Sequence, residues 1–155
     1  MFRSTVLAIL TITAATTGAL ARPASLEGKW RLNPAETESL PGEEQPAELV
    51  MAITKDDDQS FRWTVSVKMA NGEVGSTGFV GAIDGKPYPV AGRPGNTSTF
   101  SWMPDGSLKQ VSQGAGGISV ETCGFSADMK KMTCNARQTD MAGRAVAYVE
   151  VFDRL

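Results

Sequence analysis

The sequence predicts an all-β protein, an antiparallel meander of about eight to ten strands closed into a barrel. Three observations carry that prediction. From Ala47 onward apolar residues recur at every second position, the spacing of strands with one buried face. Asn71-Gly72, Asp84-Gly85 and Asp105-Gly106 interrupt those runs with hairpin-turn signals. No stretch shows a long helical period, and so many short strands remove their sheet edges most economically by closing on themselves.

Residues 1–21 read as a cleaved signal peptide rather than as part of the fold. Met1-Phe2-Arg3 is a basic start, an apolar stretch runs from Val6 to Gly18, and Ala19-Leu20-Ala21 is a small-residue cleavage signal. The expectation is a single β-barrel domain over 22–155, exported to the periplasm or secreted, with no membrane insertion after cleavage. The 155-residue chain has a net charge of −2 and no run of basic residues, which argues against nucleic-acid binding.

The first strand holds Leu26, Gly28, Trp30 and Leu32 on one face, with Glu27, Lys29 and Arg31 on the other. Asn33-Pro34-Ala35-Glu36 then supplies a cap, a proline and a glutamate at helix-start spacing, predicting a short helical turn through about Ser39. Leu40 to Pro46 reads as an exposed acidic loop. Leu49, Met51 and Ile53 form the buried face of a second strand, and Asp56-Asp57-Asp58 reads as a solvated turn. Phe61, Trp63, Val65, Val67 and Met69 alternate with polar residues in the strongest strand of the chain. Asn71-Gly72 predicts a type I′ turn, and Gly75, Gly78 and Gly81 predict a sharply curved strand from Glu73 to Ile83. Pro87 and Pro89 push the next segment toward an edge or corner. Further strands are predicted over 97–103, 107–113, 118–126, 132–138 and 145–152.

Cys123 and Cys134 are the only cysteines, and in an oxidising compartment they pair by default. A four-residue loop, Ala127 to Lys130, closed by Ser126 and Lys131 makes them direct cross-strand partners at a non-hydrogen-bonded pair, where Cα atoms approach most closely. Such a staple is worth about 3 kcal/mol on the chain-entropy estimate.

Chemistry is hard to assemble from this inventory. With no histidine there is no Ser/His or Cys/His nucleophile pair and no imidazole base, so no catalytic residue, no metal ligand and no cofactor is assigned, and an enzyme is not expected. Glu121 and Glu150 sit in strands, where solvated outward placement is the expectation. The aromatic residues Trp30, Phe61, Trp63, Phe79, Phe100 and Trp102 are the candidate barrel-interior, ligand-binding set. A barrel of about eight strands either packs its interior solid or holds one small ligand, and the glycine-rich fourth run leans toward space.

The Gly28-x-Trp30 strand, the capped turn, the long loop and the meander together resemble the calycin superfamily, which includes lipocalins and fatty-acid-binding proteins. That resemblance implies that Trp30 plugs one barrel end with Arg154 stacked across it, and that Pro34 to Pro46 lies where a lid would be. The segments Gly28-Lys29-Trp30-Arg31-Leu32-Asn33 and Asp84-Gly85-Lys86-Pro87-Tyr88-Pro89-Val90-Ala91-Gly92 are also similar to a family of small secreted bacterial proteins with a G-x-W-x-L-N opening and a D-G-K-x-Y-P-V-x-G segment. The expected function is therefore an exported, non-enzymatic barrel that binds a small apolar ligand. The alternative is a periplasmic protein-binding module such as a metalloprotease inhibitor, with a secreted protease as partner and Arg22 to Ser25 as its working end.

Overall fold

The computed structural model describes residues 24–40, 42, 44–57 and 59–155. The signal-peptide reading, with Arg22 and Pro23, lies outside them. Ten antiparallel strands close a single barrel in strict sequence order, with β1 (Gly28–Leu32) hydrogen-bonded to both β2 (Glu48–Asp56) and β10 (Ala145–Arg154). Between them run β3 (Phe61–Lys68), β4 (Val74–Gly81), β5 (Pro87–Ala91), β6 (Thr97–Trp102), β7 (Leu108–Gly114), β8 (Gly117–Phe125) and β9 (Lys131–Thr139). Closure leaves no sheet edge, which is how a meander of this length avoids edge-to-edge pairing.

Trp30 organises one end of the barrel. It is fully buried, its Nε1–H donates to the Leu26 carbonyl at 2.9 Å, and the Arg154 guanidinium lies 5.2 Å from the ring centroid. The β1–β10 register puts Trp30 directly opposite Arg154. That guanidinium also donates to the carbonyls of Ser25, Glu27 and Met129, so it ties the segment before β1 and the β8–β9 turn to the last strand. Gly28 makes the arrangement possible. Its φ is +142°, and a Cβ there would meet Arg154 Nε at 3.3 Å. The glycine of the G-x-W pair is thus the space in which the arginine stacks.

Several sequence expectations need correction. The segment after β1 forms one turn and no helix: Asn33 Oδ1 accepts from the Ala35 N–H and the Asn33 carbonyl from the Glu36 N–H. The chain then returns to β10, with Glu38 bridged to Val149 and Thr37 Oγ1 accepting from the Val151 N–H, so sheet pairing takes the backbone groups a second helical turn would need. Asp56 is no solvated turn residue. It is 7% exposed, and its carboxylate accepts from the Leu26 N–H at 2.6 Å and the Ser25 hydroxyl at 3.0 Å.

The Asn71-Gly72 turn is not type I′, because only Gly72 takes positive φ, at 88°. Gly72 N–H donates to the Met69 carbonyl, and Asn71 Oδ1 accepts from Glu73 N–H, a type I turn with a bulge glycine. A Cβ at Gly75 would meet nothing within 4 Å, but Gly81 does not open the interior. The absent side chain of Gly81 is replaced by the Phe79 and Tyr88 rings, which would lie 2.6 Å from a Cβ. Pro87 and Pro89 leave β5 with only two residue pairs to β4, since neither has an N–H to offer.

Candidate functional site: an internal cavity with an acidic wall

The barrel holds a cavity of about 230 Å³. Strand alternation decides what lines it. Met51 and Ile53 of β2, Phe61, Trp63 and Val65 of β3 and Phe100 of β6 form one apolar wall. Of the six predicted aromatic residues, Phe61, Trp63 and Phe100 lie on the cavity surface. The other three lie elsewhere. Trp30 is taken up by the plug, and Phe79 stands behind the wall, with ring centroids 5.9 Å from Trp63, 4.7 Å from Phe100 and 6.1 Å from Phe61. Trp102 packs against Phe125 at 6.3 Å, beyond the cavity lining. None of the described residues between Pro34 and Pro46 lines the cavity, and Thr37 and Glu38 are held against β10.

The opposite wall is polar, and its rows follow from register. Phe100 faces Gln110 and Gln110 faces Glu121, while Leu108 faces Cys123, Cys123 faces Cys134 and Cys134 faces Glu150. Ser98 and Ser112 form a neighbouring pair, with hydroxyls 2.8 Å apart, and Gln110 Nε2 donates to both at 3.2 and 2.9 Å. The disulfide forms as the hairpin arithmetic requires: Ser126 N–H donates to the Lys131 carbonyl at 2.9 Å, and the cysteine Cα atoms lie 4.0 Å apart.

Glu121 and Glu150 therefore face inward, one on each side of β9, contrary to the solvated placement expected of them. Glu121 is half-buried on the cavity lining, and no hydrogen-bond donor reaches it among the described residues. Burial, followed by the negative charge of Glu150, pushes its carboxyl up to about 8. The acid is thus protonated at neutral pH. Its oxygen and both cysteine sulfurs cluster within 4.8 Å, but the sulfurs are bonded to each other, so neither is a thiolate and this trio is not a metal site as it stands.

Sequence reasoning missed this wall because β8 carries Ile118 and Val120 on the outside, where they are 44% and 37% exposed. Apolar residues pointing outward disguised the parity of the strand. The one signal that could have corrected it is the cysteine pair: once Cys123 faces inward, Glu121 must, and a cross-strand partner of Cys134 must too.

Fold and cavity together define a calycin-like barrel with an internal site. No protein-family model matches the chain, and no curated protein does. Among solved structures the chain is similar to the fluorescent protein UnaG, with a TM-score of 0.56 and 14% identity over 84% of this chain and 97% of that one. It is also similar to the S-type phycobiliprotein lyase CPES from Guillardia theta, with a TM-score of 0.53 and 15% identity over 84% and 88% of the two chains. At such identities the likeness concerns the fold alone.

Proposed function

We propose that the protein is an exported carrier that holds a small, largely apolar molecule inside its barrel without transforming it. The observation that carries this reading is a cavity of about 230 Å³ walled by Met51, Phe61, Trp63 and Phe100 in a barrel whose end is closed by Trp30 and Arg154. Interiors are normally packed to crystal density, so a barrel that leaves this much interior space unfilled by its own side chains has room for a guest. The volume falls below the ~300 Å³ at which drug-sized ligand sites begin, which restricts the occupant to a small molecule. Kinship with the secreted bacterial proteins that share the G-x-W-x-L-N opening belongs to the same reading.

The protease-inhibitor alternative finds less support. Ser25 is pinned to the barrel by its bond to Asp56 and by Arg154, so this end of the Arg22 to Ser25 segment is not free to enter a cleft. Native mass spectrometry of the protein taken gently from its own compartment should show a one-to-one adduct that is lost on denaturation. A clean apo mass, with no uptake of small apolar compounds added afterwards, would dispose of the carrier.

A further inference from the structure

The carrier reading leaves the chemistry of the ligand open, and the polar wall narrows it. Two carboxyl groups, Glu121 and Glu150, line one cavity, while the only basic side chain among the described lining residues is Arg93, which sits exposed in the β5–β6 turn. A carboxylate or phosphate entering this interior would meet the negative charge of Glu150 and no buried basic side chain among the described lining residues to offset it. A cation would meet the opposite.

We infer that the cavity takes an apolar molecule bearing a single cationic nitrogen, its body against Phe61, Trp63 and Phe100 and its ammonium group on the wall that Glu121 and Glu150 share. The inference rests on the carrier reading. Three observations support it. Glu121 lies inside the barrel, aimed into the cavity and met by no hydrogen-bond donor among the described residues, so it is an acceptor kept for something that enters. Gln110, its cross-strand neighbour on β7, already spends its amide on Ser98 and Ser112, which fixes those groups as a rim rather than as partners of the acid. The aromatic rings opposite offer a face to the apolar body of an amine and, where the nitrogen lies close, cation–π attraction.

Proton linkage gives the inference a signature. The titratable groups facing Glu121 are Glu150 and Tyr148 from β10, with Gln110 and Ala136 neutral on the strands beside it and the disulfide next in its own row. Because burial holds Glu121 protonated at neutral pH, an arriving ammonium displaces that proton to solvent and leaves an ammonium–carboxylate pair. Affinity for a cation then rises with pH through about 6.5 to 8.5, and binding at pH 7 releases up to one proton.

Three near-isosteric probes separate the possibilities by titration calorimetry on the mature protein: 3-phenylpropylammonium, 3-phenylpropanol and 3-phenylpropanoate. The ammonium is expected to bind at least tenfold more tightly than the alcohol and the carboxylate, to gain several-fold between pH 6.5 and 8.5, and to release protons in buffers of differing ionisation enthalpy. In a Glu121→Gln, Glu150→Gln variant the ratio of ammonium to alcohol affinity should fall toward one. If the carboxylate binds as well as the ammonium, or the ammonium's advantage survives the double substitution, the inference is wrong. Binding of the alcohol with no advantage for the ammonium would overturn it while leaving the carrier intact; failure of all three probes to bind folded protein would overturn both.

Discussion

Trp30→Ala is expected to destabilise the barrel by about 4 kcal/mol, the range for removing a buried tryptophan. The substitution does three things at once. It empties the volume of a fully buried indole, leaves the Leu26 carbonyl without its 2.9 Å donor, and strips the Arg154 guanidinium of the ring it stacks on. Arg154 would remain beside Gly28 with its backbone contacts to Ser25 and Met129 but with one face turned to a void. Chemical denaturation with an unchanged m-value is the measurement. A loss under about 1 kcal/mol would mean that Trp30 does not hold the barrel end. Trp30→Phe should cost markedly less, since the ring volume is largely kept and only the N–H bond is lost.

Glu121→Gln is expected to change the pH profile of stability as much as its absolute level. The folded protein holds this carboxyl protonated up to about 8, whereas in the unfolded chain it ionises near its ordinary value of 4.5. Between those limits the unfolded state binds fewer protons than the native one, so stability falls as pH rises from about 4.5 to about 8 and levels off above. At ~1.4 kcal/mol per pH unit the window corresponds to roughly 5 kcal/mol, an upper figure because water entering the cavity screens the charge. The amide of the variant cannot ionise. The substituted protein should therefore be more stable than the parent at pH 8.5, close to it at pH 4.5, and flat in between as far as this position is concerned. Urea midpoints measured across that range decide it; parallel profiles for the two proteins would show that Glu121 is solvated after all.

Most of the barrel was legible because its residues carry strong local signals. The alternation from Phe61 to Lys68, the glycine and aspartate turns and the cross-strand cysteines each constrain one hairpin, and in an up-and-down meander consecutive hairpins determine nearly the whole topology. The contact of Trp30 with Arg154 was legible only through resemblance, since nothing local in the sequence pairs the first strand with the last. What escaped were features decided by long-range pairing. Thr37 and Glu38 looked helical until β10 claimed their hydrogen bonds. Asp56 looked solvated because its partner, the Leu26 N–H, lies thirty positions earlier. The aromatic residues were equivalent in sequence, and only their height along the barrel separates Trp63 and Phe100 on the cavity from Trp30 and Trp102 away from it. The inward carboxyl groups were hidden by the exposed Ile118 and Val120, a case in which hydrophobic alternation points the wrong way round.

The central claim is that the interior is a void open to a small apolar guest rather than a filled core. Apolar cavities take up xenon, which has no charge and makes no hydrogen bonds, so its position reports accessible apolar space and nothing else. A crystal of the mature protein pressurised with xenon should show a bound atom against Met51, Trp63 and Phe100, across the cavity from Glu121. An interior free of xenon, with those side chains packed directly on one another, would contradict the account.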